Sequence, residues 1–133
     1  MKAADYLGHA VYSWLQDAHP EVPITRVRFI MTPSITGGLA EFDSVPPFWL
    51  RVFGSRTTYR VSLNSNRFPD HWSDNHIHQR YVFHELGHTA DMKRLGKRGF
   101  DQAYQNDPKG MELSADAHKE RLFKSFNEHF GGS

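Results

Sequence analysis

A chain of 133 residues and 15.4 kDa, 38% hydrophobic and 14% aromatic, carries enough apolar side chain for one buried core, which excludes a generic disordered segment. Sixteen Lys and Arg against fifteen Asp and Glu leave a formal +1, so charge gives no indication of a nucleic-acid partner. The absence of cysteine excludes disulfides, thiol nucleophiles and thiolate metal sites; any metal must be held by carboxylates and by histidine, of which there are nine.

No apolar run approaches the ~18–20 residues of a membrane span. The first twenty residues are interrupted by Asp5, His9 and Gln16 and form no signal-peptide core. The expectation is a soluble, cytoplasmic protein with no membrane partner. No repeat, low-complexity tract or Gly/Ser-rich linker divides the chain, which reads as a single domain over 1–133.

In chain order, Tyr6, Leu7, Ala10, Val11, Trp14 and Leu15 form a stripe at helical spacing that predicts a helix from Ala3 to about His19, stopped by Pro20. Arg26 to Met31 alternates polar and apolar residues as a strand does, and Pro33, Gly37 and Gly38 mark a loop over Thr32 to Ala40. Leu39 to Phe42 and Phe48 to Phe53 read as two further short strands. Thr57 to Leu63 alternates clearly, with Tyr59, Val61 and Leu63 on one face, and Gly54 and Ser55 suggest a hairpin turn before it. A loop follows from Asn64 to Asn75, then a helix from about Asn75 to Leu95 that Gly96 is placed to end. Gly99 to Gly110 reads as irregular, and a last helix spans roughly Met111 to Phe130. Strands gathered ahead of two helices give an α+β class.

The second of these helices contains His84-Glu85-Leu86-Gly87-His88, the pattern H-E-x-x-H. Residues four apart share a helix face, so both imidazoles can reach one ion. Zinc accepts imidazole nitrogen, and a catalytic site combines three protein ligands with one open position. Glu85, beside the first ligand, can take a proton from water. The apolar neighbours Tyr81, Val82, Phe83 and Leu86 argue against a simple solvated helix, because buried polar groups need partners.

A third ligand is then required. The metzincin extension is excluded, since Asp91 stands where its glycine belongs and Arg94 where its last ligand belongs. Glu112 and Asp116, at i and i+4 in the last helix, face the same way. Glu112 can complete a metal site, and Asp116 can accept the outer N–H of a ligating histidine. The plainer alternative is an acidic first turn favoured by the helix dipole.

H-E-x-x-H followed by E-x-x-x-D on the next helix resembles the gluzincin metallopeptidases in a minimal form, with the ImmA/IrrE-like and SprT-like branches nearest. The strand ending Val61-Ser62-Leu63-Asn64 before the zinc helix belongs to the same resemblance, which covers about Thr57 to Phe126. It implies a zincin-like fold and one Zn2+ held by His84, His88 and Glu112. It also implies Glu85 as general base, Asp116 behind the ligands, and a protein or peptide substrate. It further implies that Tyr59, Arg60, Val61, Ser62 and Leu63 form an edge strand pairing with extended substrate, although a buried hairpin strand remains the alternative. Tyr81 and Tyr104 are candidates to donate to an oxyanion.

His76 and His78 read as solvated residues ahead of the motif, and His118 points away from the face of Asp116. Lys93, Arg94, Lys97 and Arg98 read as a solvated helix end. The expected function is a zinc endopeptidase. The alternatives are a metal-holding interaction module without proteolysis, or a toxin or phage-effector protease with one host target.

Overall fold

The computed structural model describes residues 1–33, 40–45 and 58–131. It is an α+β chain whose elements run α1 (Ala3–Leu7), α2 (His9–Ala18), a 3-10 turn (Ile24–Arg26), β1 (Val27–Thr32), β2 (Ala40–Val45), β3 (Thr58–Asn64), α3 (His76–Asn106) and α4 (Pro108–Phe126), with a π-turn at Asn127–Gly131. No helix among the described residues is long and apolar enough to cross a membrane. The chain forms two compact units, Met1–Trp72 and Ser73–Ser133.

In the first unit, the expected single leading helix is two. Gly8 takes φ +84° and ψ 158°, a conformation that side-chain-bearing residues avoid, and it breaks the helix after Leu7. Tyr6, Leu7, Val11, Trp14 and Leu15 of the expected stripe are buried, whereas Ala10 is exposed. Tyr6 stacks on Phe29 of β1 with ring centroids 4.4 Å apart.

The sheet order is β1-β3-β2. β1 runs parallel to β3 with Phe29 opposite Val61, and β2 runs antiparallel with Phe42 opposite Val61. Tyr59, Val61 and Leu63 are buried, and Arg60 between them is exposed, as the alternation demands.

One expectation is corrected here. Tyr59, Arg60, Val61, Ser62 and Leu63 lie on the central strand, not an edge, and their main chain is paired on both sides. A strand with both ladders filled has no row of open N–H and C=O groups left for an extended peptide. The strand expected at Phe48 to Phe53 and the turn at Gly54 and Ser55 lie outside the described residues.

In the second unit, Asn75 caps α3 by accepting from the backbone N–H groups of Ile77 (2.8 Å) and His78 (3.2 Å). Gly96, at φ +77° and ψ 163°, ends the first run of this helix as expected. The stretch after it is not irregular, however. Helix resumes through Asn106, and only Asp107 separates it from α4. Asp107 caps α4 by accepting from the Gly110 N–H at 3.0 Å, and Pro108 occupies the first turn, where its missing N–H costs nothing. The run of α3 before Gly96 packs antiparallel to α4, with Arg80 against Glu120, His84 against Asp116 and His88 against Glu112. Their contact is close because Gly87 lacks a side chain: a Cβ there would lie 2.8 Å from His118 Cβ and 2.9 Å from the Ala115 carbonyl oxygen.

Candidate metal centre

The seam between α3 and α4 brings the two motifs together. His88 Nε2 lies 2.8 Å from Glu112 Oε2, and His84 Nε2 lies 3.6 Å from Glu112 Oε1. One carboxylate thus faces both imidazoles. Behind it, His84 Nδ1–H donates to Asp116 Oδ1 at 2.9 Å, which leaves the Nε2 lone pair directed toward Glu112. The two rings stand perpendicular with centroids 4.8 Å apart. One ligand atom from each of His84, Glu85 and His88 falls within 4.8 Å of the other two.

The donor set fits zinc. Two imidazole nitrogens and a carboxylate are its usual non-thiolate ligands, and tetrahedral donors at about 2.0–2.2 Å lie roughly 3.3–3.5 Å from one another. The observed 2.8 and 3.6 Å bracket that spacing. Glu112 Oε2 is moreover a buried oxygen with no hydrogen-bond partner among the described residues.

Burial lowers the pKa of His88, against the opposing pull of the Glu112 charge, and keeps the ring in the neutral form a ligand requires. For Asp116, burial pushes upward but the hydrogen bond from His84 and the charge of Lys119 outweigh it. The carboxyl therefore stays below its ordinary range. Glu85 is buried, at 5% exposure.

Comparison with protein-family models, curated proteins and solved structures finds no match.

Of the two tyrosines, Tyr104 stands beside the cluster. The helix beyond Gly96 carries Phe100 and Tyr104 against His88, with ring centroids at 6.0 and 6.3 Å. Burial, then the charges of Glu112 and Glu85, raise the Tyr104 hydroxyl above its ordinary pKa. Tyr81 is half-buried one turn before His84. His78 is buried rather than solvated, whereas His76 is exposed with its ring edge on Phe123.

Sequence reasoning missed a second polar cluster. Asp91, 1% exposed, accepts from Ser114 Oγ at 2.7 Å and His118 Nε2 at 3.1 Å, both on α4, and from Arg94 at 3.2 Å. Arg121 donates to His118 Nδ1 at 2.6 Å, so the ring is held at both nitrogens. The signal was present: Asp91 continues the His84–His88 face at i+7 and i+3, and Ser114 and His118 form a second i, i+4 pair beside Glu112 and Asp116.

Proposed function

We propose that this chain is a zinc-dependent endopeptidase with a zincin-like site, in which His84, His88 and Glu112 hold the metal. The observation that carries the reading is the meeting of one Glu112 carboxylate with both H-E-x-x-H imidazoles, at 2.8 and 3.6 Å, across two helices. Zinc bound there would supply Lewis acidity toward a scissile carbonyl and toward water. Glu85 would take a proton from the attacking water as its oxygen bonds to the scissile carbonyl carbon, and would pass it to the amine released when the C–N bond breaks. Asp116 would hold the His84 ring in the Nε2-ligating tautomer, and Tyr104, whose ring centroid lies 6.3 Å from that of His88, would donate to the substrate's developing oxyanion.

A fully closed, purely structural metal site needs a fourth protein ligand. His118, a histidine of α4 that could be considered for it, is instead occupied at both ring nitrogens by Asp91 and Arg121. That favours an open position. Since β3 is a central strand, strand addition there is no part of this proposal.

Elemental analysis of the purified protein tests the metal. One zinc per chain in the wild type and none in His88→Ala is expected, and a wild type that binds none refutes the reading. Peptide hydrolysis that survives Glu85→Gln undiminished refutes the assignment of the base.

A further inference from the structure

Two polar sets flank the α3–α4 seam, with the Gly87–Ala115 contact between them. On one side lie the pairs His84–Asp116 and His88–Glu112, and on the other Asp91 with Ser114 and His118. The second set contains the most deeply buried carboxylate of the unit's described residues, at 1% exposure.

Apolar packing is non-directional and tolerates small slides of one helix along another. A buried charge does not, because it needs its donors at hydrogen-bond distance. Both donors that Asp91 takes from α4 lie one turn apart, on Ser114 and His118. A slip of α4 by a single turn, about 5.4 Å, would strand the carboxylate and pull Glu112 from His88 together.

We infer that Asp91 is a positioning residue that fixes α4 in the one register at which Glu112 and Asp116 reach His88 and His84. This rests on reading those four residues as a metal site. Burial alone would raise the Asp91 carboxyl, and the hydrogen bonds from Ser114, His118 and Arg94 reverse that, so the anion is the form the cluster is built around.

The test uses the full chain and two readouts. Nitrogen-15 spectra of the histidine rings report the His84 Nδ1–H hydrogen bond to Asp116 without any metal, and cobalt titration reports affinity and coordination by its visible absorption. Asp91→Leu is expected to keep its far-ultraviolet helix signal and lose the His84 hydrogen-bond signature. It is also expected to bind cobalt at least tenfold more weakly, with the spectrum of Glu112→Gln. Asp91→Asn, which keeps an oxygen for His118, is expected to restore both readouts.

A folded Asp91→Leu chain with wild-type nitrogen shifts and cobalt affinity within twofold overturns the inference. Should the leucine variant fail to fold, Ser114→Ala decides the matter. It removes one of the two ties from α4, and an affinity and a His84 signature unchanged from wild type overturn the inference equally. Wild type that binds no cobalt but shows the His84 signature, lost in Asp91→Leu, refutes the metal reading while the positioning role stands.

Discussion

Replacing Gly87 with Ala tests whether α3 and α4 truly meet where the site requires. The added methyl would lie 2.8 Å from His118 Cβ, 2.9 Å from the Ala115 oxygen and 3.2 Å from Ala115 Cα. Carbon atoms rest at about 3.5–4.0 Å, so the helices must part by roughly 0.7–1.2 Å. Two of the three obstructing atoms are backbone and cannot rotate aside. Overpacking of this kind costs about 1–3 kcal/mol. The helix propensity of Ala over Gly returns about 0.8–1.0 kcal/mol. The expected balance is a loss of up to about 2 kcal/mol, read as a melting temperature lowered by up to roughly 8 °C. The same displacement stretches the 2.8 Å His88–Glu112 contact, so zinc affinity falls along with stability. Thermal melts of the metal-free chain and zinc titration by calorimetry measure the two effects. A Gly87→Ala chain that melts at or above wild type and binds zinc equally well would refute the close crossing.

Glu85→Gln is expected to keep zinc at one per chain and to lower peptide hydrolysis about 10²–10⁴-fold, measured on a quenched fluorescent peptide library. Chelation should lower the melting temperature of the wild type but leave that of His88→Ala unmoved, because metal binding energy is folding energy. Asp91 has a folded-state pKa below its ordinary 3.8, so the unfolded chain binds the proton more readily. Its contribution is therefore present above that value and lost as pH falls through and below it. Acid melts should accordingly show a steeper decline for the metal-free wild type than for Asp91→Asn. Gly96→Ala forces a side chain into φ +77° and should cost about 1–2 kcal/mol while displacing Phe100 and Tyr104 from His88. Wild-type stability, with tyrosine fluorescence unchanged on zinc addition in both proteins, would count against that role.

The motif geometry was legible because it is local: i, i+4 spacing puts His84 over His88 and Glu112 over Asp116 whatever the rest of the fold does. Joining the two pairs across helices was an inference from residue chemistry, and the seam at Gly87 supplies its steric basis. The α+β class and the alternation of β3 were also readable. Pairing order was not, since a strand's own sequence does not say how many neighbours it has, and β3 lies in the centre. Gly8 and Gly96 both stand at helix breaks, but the apolar stripe runs unbroken past the first, so only the second carries a sequence signal for one. The helix after Gly96 was hidden by Asn106, Asp107, Pro108 and Gly110. These proved to be a capped joint only one residue long. The buried role of Asp91 is not legible in sequence because a lone acid on a helix looks solvated until its partners arrive from another element.

The break at Gly96 has a bearing on how such a chain can diversify. The aromatic wall facing His88 is carried by a helical stretch that begins after the break, while His84, Glu85 and His88 all precede it. Exchanges along 97–106 can therefore reshape the surroundings of the cluster without touching the turns that carry its imidazoles. If the proposed site holds a metal, its retention and the choice of substrate would become separately editable traits of one short polypeptide.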